Sequence, residues 1–306
     1  MSEPIVFLNG EFVPASQAKL NIYDLGIVLG ATFTEMTRTF NHGMFKAEEH
    51  VQRLFASLRY GNIPIPYSPE QILDFTGQLV EHNAQLIEAG QELAIAHFVT
   101  PGENRLYAGA AAGSGKLSPT ICIHSFPLPF TAWRHLMTDG AHVVTPSIRH
   151  IPPQCLDPKT KNRSRLHWWL ADQETHNVDP KAITLLLDLE GNITECAGSN
   201  FVIVKNGIVY SPTSRNILGG ISLGYVRELC VKLQIEWVEK DLQIYDVINA
   251  DEAWLTTTPY CVAPCTRING KTIADGRIGS IYEKVLAAWS DKVGLDIRAQ
   301  ILNSTY

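Results

Sequence analysis

A chain of 306 residues, 45% hydrophobic and 18% charged, is long enough for two modest α/β domains or one large one and has the composition of an ordinary globular protein. Its formal charge of -6 offers no cationic footprint for nucleic acid, so no polyanionic partner is expected. Glu3 and Pro4 stand where a secretory leader would be basic, and no apolar run approaches the roughly 18 residues of a membrane span, which points to a cytoplasmic protein without a membrane partner. Six scattered cysteines suit reduced thiols better than a disulfide framework. Cys261 and Cys265 alone lie close together, too few ligands for a zinc site, and no metal is expected.

In chain order, Ile5 to Leu8 reads as a strand, and a glycine-punctuated stretch after Asp24 leads into Phe33 to Phe40. Asn41-His42-Gly43 reads as a hairpin tip in which glycine accepts the positive φ. Val51, Leu54, Phe55 and Leu58 repeat at helical spacing and define one apolar face, with Arg53 beside it. Ser68-Pro69-Glu70 opens a second helix running to about Ile87, serine capping the free amides and proline pre-set for the first turn. Leu93 to Thr100 reads as a buried strand, Gly102 to Ser118 as a mobile Gly- and Ala-rich loop, and Thr120 to His124 as another strand.

The proline-rich run Ser125 to Phe130 reads as a connector, which divides the chain into an N-terminal domain, 1–127, and a larger C-terminal domain, 128–306. Beyond it, strands at His142 to Thr145, Ile183 to Asp188, Asn200 to Lys205, Ile208 to Tyr210 and Glu252 to Thr257 alternate with helices near 163–176, 221–234 and 279–293. The Asn206-Gly207 turn argues for antiparallel pairing within a mixed α/β (α+β) fold.

The stretch most informative about chemistry is Leu187 to Val204, where a turn at Glu190 to Asn192 puts Glu195 at a strand end followed by the small residues Ala197, Gly198 and Ser199. A carboxylate over small neighbours lets a flat ligand approach, although on local grounds alone an exposed strand-end glutamate is the simpler reading. Other groupings stand in order along the chain: Asp24-Leu-Gly-Ile-Val-Leu-Gly30, Phe33-Thr-Glu35, Glu49-His50-Val-Gln-Arg53-Leu54, Pro158-Lys159-Thr-Lys161-Asn-Arg-Ser-Arg165, and Leu218-Gly-Gly-Ile221-Ser222.

Together these resemble the class IV, fold-type IV pyridoxal 5′-phosphate (PLP) enzymes, a family that includes branched-chain and D-amino-acid aminotransferases and aminodeoxychorismate lyase. The resemblance implies a two-domain α/β fold with the cofactor between the domains, a homodimer, and transfer of an amino group between an amino acid or amine and a 2-oxo acid. It further implies that a lysine binds the cofactor aldehyde and shuttles the Cα proton, and that Glu195 faces the pyridine nitrogen. Arg53 and the helix-opening amides of Ile221 and Ser222 would take the phosphate, with Thr258 on the same side and Arg165 toward the ring hydroxyl.

Lys159 and Lys161 both compete for the aldehyde; the family spacing to Glu195 and to Glu174 favours Lys161, whereas Lys159 fits a local Lys-x-x-Asn-Arg pattern. Leu29, Thr34, Arg38, His97 and Pro259 fall at positions that the family uses for substrate. The usual tyrosine and arginine pair is absent, so branched-chain or D-amino-acid specificity does not carry over. His97 has a simpler reading as a core histidine, and His167-Trp168-Trp169 as the packed face of a helix. A PLP lyase of the aminodeoxychorismate type and a non-catalytic PLP or metabolite binder are the alternatives; a proton shuttle at Lys161 together with Glu195 argues against the latter.

Overall fold

The computed structural model describes residues 3–107 and 118–306, and most of the expected Gly- and Ala-rich loop lies outside them. The chain forms two compact units, Met1–Leu128 with Thr160–Ser164, and Pro129–Lys159 with Arg165–Tyr306. Five residues from the middle of the chain therefore count with the first unit, a membership that the linear pattern does not reveal.

In the first unit six strands form an antiparallel sheet in the order Glu11–Pro14, Ile5–Leu8, Thr120–Pro127, Leu93–Thr100, Phe33–Phe40, Gly43–Phe45. Ser125 to Pro127, expected as connector, instead extend a strand, because Ile95, Ala94 and Leu93 offer them ladder partners. The Ala47–Tyr60 helix buries Val51, Leu54 and Leu58 in a core shared with Phe7, Ile72, Leu79, Ile95 and Ile123. At its end Gly61 admits the ring of Phe33; a Cβ there would stand 2.2 Å from the ring edge.

The Pro69–Asn83 helix begins with a reciprocal capping box: Gln71 N donates to Ser68 Oγ at 3.3 Å, and Ser68 N to Gln71 Oε1 at 2.9 Å. It ends before the expected Ile87, passing into a 3-10 turn, Ala84–Leu86. The hairpin tip also differs in detail. Phe40 pairs with Gly43, so the loop is Asn41-His42, and these two residues take the positive φ values, 49° and 61°. Glu92 makes that possible by accepting from the amides of Asn41 at 2.6 Å and His42 at 3.2 Å.

The second unit is built on a nine-stranded mixed sheet. Ser199–Lys205 pairs antiparallel with Ile208–Ser211 through the Asn206-Gly207 turn and with Glu252–Thr257 on its other side. Glu252–Thr257 in turn pairs with Cys261–Ile268, a strand without a marked sequence pattern because all but one of its residues are buried. Ala141–Val144 joins this sheet through parallel pairs with Cys261–Ile268 and Ile183–Leu187. The short strand Ile193–Cys196 pairs with both Ile183–Leu187 and Ser199–Lys205, which closes these strands into a ring. The helices Leu166–Val178, Ile221–Lys232 and Ser280–Val293 pack against this sheet or against one another.

Candidate active site

In the first unit the strand Phe33–Phe40 buries Glu35 completely. A buried carboxylate requires compensation. Arg53 supplies it from the facing helix by a fork, Nε to Oε1 at 2.6 Å and Nη2 to Oε2 at 2.9 Å, while His50 Nδ1 lies 2.8 Å from Oε2. Burial alone would raise the Glu35 carboxyl, but Arg53 and His50 outweigh it and hold the group at about 2. Burial pushes His50 down against the pull of Glu35, with Arg53 and Lys161 adding to the shift. An ionised Glu35 can only accept, so the ring proton of His50 sits on Nδ1.

Lys161 is anchored by its backbone. Thr34 N donates to Lys161 O at 2.8 Å, Arg163 N to Thr32 O at 2.8 Å, and Phe33 and Asn162 form a bridge between those bonds. Lys161 N reaches Ser57 Oγ at 3.3 Å, and Ser164 Oγ donates to Gly30 O at 2.6 Å. By contrast Lys159, in the other unit, is exposed, its amide on Asp157 Oδ1 at 3.0 Å and its ammonium 3.8 Å from Asp157 Oδ2. The two lysines differ sharply in setting.

The candidate substrate residues of this unit divide. Leu29 is 68% exposed. Thr34 spends its hydroxyl on His97 O at 2.8 Å. Arg38, expected as a substrate-side cation, is instead buried at 1% exposure, its Nε on Thr39 O and its guanidinium 3.9 Å over the Phe40 ring. His97 is likewise buried, with Nε2 2.8 Å from Thr76 Oγ1, and burial drives its ring down to about 4.

In the second unit Glu195 lies in the strand Ile193–Cys196, opposite Asn200 across a short turn. Its Oε2 accepts from Asn200 Nδ2 at 3.1 Å and Leu218 N at 2.9 Å, and its Oε1 lies 3.5 Å from His150 Nε2. Leu218 begins the turn into the helix Ile221–Lys232, whose cap is Gly220 and whose first turn holds no acidic residue. The first intrahelical bond is Gly224 N to Gly220 O, so the amides of Ile221 and Ser222 precede the hydrogen-bonded ladder, the arrangement that favours an anion.

Arg165 donates from Nη2 to Ala197 O and stands 5.5 Å over Trp168. Burial, with His150 and Arg165 nearby, pushes His167 down to about 4. Trp168 packs inward at 5% exposure, but Trp169 is 63% exposed, so the expected packed face is only half present. Thr258 and Pro259 lie in the half-buried turn that follows Glu252–Thr257, whose Thr257 Oγ1 donates to Gly198 O at 2.5 Å.

Asn200, His150 and Ser57 carry no role on sequence grounds, and Glu35 enters there only as part of a motif. The intervening glycines and the run of polar side chains around Glu195 carry no periodic signal, and only the fold brings the partners of that carboxylate together. No group of three or more metal-ligating side chains occurs among the described residues.

Known proteins share this constellation's framework. Residues 32–268 match the family model described as amino-transferase class IV. A protein named putative branched-chain-amino-acid aminotransferase from Methanocaldococcus jannaschii is 32% identical, covering 94% of this chain and 95% of its own. One named D-alanine aminotransferase from Bacillus licheniformis is 26% identical, covering 94% and 96%. Among solved structures, the Escherichia coli branched-chain amino acid aminotransferase superposes with a TM-score of 0.86 at 22% identity, covering 94% of each chain. A branched-chain amino acid aminotransferase of T.th., solved with pyridoxamine 5′-phosphate, gives 0.83 at 22% identity, covering 95% of this chain and 94% of its own.

Proposed function

This chain belongs to the class IV aminotransferases, and on that footing we propose that it binds pyridoxal phosphate through Lys161 and moves an amino group from an amino acid or amine to a 2-oxo acid, with leucine, isoleucine and valine as poor donors. Its relatives carry aminotransferase names, which favours transamination over the lyase and binder alternatives. The observation that carries the assignment of Lys161 is its anchored backbone, bonded on either side of the Phe33–Asn162 bridge, against the exposed setting of Lys159.

The residues present fit the cofactor. A carboxylate with one oxygen doubly hydrogen-bonded suits a pyridine nitrogen, and a helix start without acidic residues suits a phosphate. Arg53, stiffened by Glu35, adds a charge of the right sign. When bound, the cofactor supplies an electron sink for the negative charge left on the substrate Cα. Glu195 would hold the proton on the pyridine nitrogen, and Lys161 Nζ would take the proton from the substrate Cα and return one during transfer. Ile221, Ser222 and Thr258 of the second unit would take the phosphate, the family resemblance assigns Arg53 of the first unit to the same group, and Arg165 would serve the ring hydroxyl.

For the donor, Leu29 and Pro259 remain as contacts, whereas Thr34 is itself buried with its hydroxyl on His97 O. Arg38 and His97 are buried and bonded within the sheet, and with the tyrosine and arginine pair also missing a simple carboxylate lacks the usual partners. A cytoplasmic homodimer completes the proposal. Its support is the six free cysteines, which suit a reducing compartment, and the exposed Ile22 and Ile27, apolar side chains of the kind that a second copy covers.

The test is chemical. Borohydride reduction followed by peptide mapping should place a pyridoxyl group on Lys161; Lys161→Ala should abolish the bound chromophore and transamination, and Lys159→Ala should spare both. A label on Lys159 would overturn the assignment. Efficient turnover of leucine, isoleucine and valine would overturn the donor reading.

A further inference from the structure

Asn200 is buried at 5% exposure where the strand Ser199–Lys205 leaves the Glu195 turn, and its side chain meets three groups of the second unit. Nδ2 donates to Glu195 Oε2 at 3.1 Å and to Leu218 O at 2.9 Å, which consumes both amide protons. Leu218 returns a bond of its own, N to the same Glu195 Oε2 at 2.9 Å, so carboxylate, amide and peptide close a small ring. The third contact is steric. A Cβ on Gly220 would stand 2.0 Å from Asn200 Oδ1, so the helix cap is glycine because Asn200 occupies the space that a side chain would need.

The orientation of the amide follows from its neighbours. A carboxylate and a carbonyl both require a donor, so Nδ2 must face them and Oδ1 must face Gly220. His150 does not share this task. It approaches the other oxygen of Glu195, Oε1, at 3.5 Å, and its remaining ring nitrogen lies 3.0 Å from Ile151 O rather than on the Leu218 turn.

We propose that Asn200 is a positioning residue that fixes the spacing between the Glu195 carboxylate and the amides of Ile221 and Ser222, so that a flat, anionic ligand is gripped at both ends in one register. The inference rests on the roles given above to Glu195 and to the helix start. Its specific content is coupling. A residue that merely stabilised the unit would weaken binding of any ligand alike, whereas a spacer between two grips matters most to a ligand that uses both.

The experiment compares pyridoxal 5′-phosphate with pyridoxal, which lacks the phosphate, as probes of the full chain. Asn200→Asp keeps the shape, removes both donors and sets a second carboxylate beside Glu195. Gly220→Ala keeps the Asn200 side chain intact but pushes on its Oδ1 from the helix side. Each should cut the affinity advantage of pyridoxal 5′-phosphate over pyridoxal by about tenfold and alter the visible circular dichroism of the bound ring, with far-ultraviolet dichroism unchanged. Asn200→Ser, which keeps one donor, should recover part of the advantage. An unchanged advantage in Gly220→Ala and either Asn200 variant, while Glu195→Gln does alter the visible dichroism, overturns the coupling and leaves the Glu195 assignment standing. If Glu195→Gln is also silent, the Glu195 assignment fails and the coupling fails with it.

Discussion

Glu35 is a fully compensated buried charge in the first unit, at 0% exposure between the fork of Arg53 and the ring of His50. Removing one partner of such a pair leaves the other uncompensated, so Glu35→Gln should cost about 3 kcal/mol of unfolding free energy in denaturant titration. It should also loosen cofactor retention, because Arg53 loses the group that orients it; Arg53→Ala should loosen it further. Acid sensitivity has a definite sign. Glu35 has a folded value of about 2, depressed from 4.5, so its contribution is fully present above 4.5 and is lost as pH falls from there through about 2. His97 is depressed from 6.5 to about 4. Between those values the unfolded chain binds the proton and the folded chain does not, so stability declines as pH drops through that window. His97→Leu should flatten the decline between about pH 6.5 and 4, measured by chemical denaturation at a series of pH values. The sequence marked Glu35 and His97 as notable letters; their burial and partners came from strand register, which pairs Glu35 with His97 directly.

Two elements show how local chemistry sets structure. The Ser68 cap at the start of Pro69–Asn83 was legible from Ser68-Pro69-Glu70, whereas the reciprocal bond that Gln71 adds came only with the structure. Ser68→Ala should lower stability by about 1 kcal/mol, read as a drop in melting temperature. The Asn41-His42 turn is less transparent, since the sequence places a glycine beside it and invites the wrong residue for the positive φ. With φ of 61° at His42, His42→Val should destabilise and His42→Gly should be neutral or stabilising by about 1 kcal/mol. Equal stability of the two variants would show that the turn takes another conformation in solution. The Cys261–Ile268 strand escaped periodicity for the opposite reason: burial on both faces erases the alternation on which strand recognition depends.

At the scale of the whole molecule, ligand binding and folding are linked. A cofactor that binds the folded state at a hundredfold excess over its dissociation constant adds about 2.7 kcal/mol, so pyridoxal 5′-phosphate should raise the melting temperature of the parent protein clearly. Lys161→Ala should show a much smaller rise, and pyridoxal a smaller rise than its phosphate ester with the parent. Equal shifts for parent and variant would argue that the ligand binds without the lysine. The division into units adds a point about chain economy. Thr160–Ser164 counts with the first unit, and Lys159 and Arg165 on either side count with the second, so the residue assigned the central chemical role sits on a segment held by strand pairing to Thr32 and Thr34.

The sequence by itself determined the class of the fold, most of the helices and strands, and the family, because these rest on periodicity, capping residues and motif order, which are local or additive along the chain. It also offered two lysines for the proposed aldehyde-binding role, with family spacing in favour of Lys161. Only the tertiary structure decided that Lys161 is anchored while Lys159 is exposed, that Arg38 and His97 are buried, and that Asn200 ties Glu195 to the Leu218 turn. Those are relations between residues distant in sequence, set by register, side-chain packing and desolvation, and no pattern within a single segment encodes them.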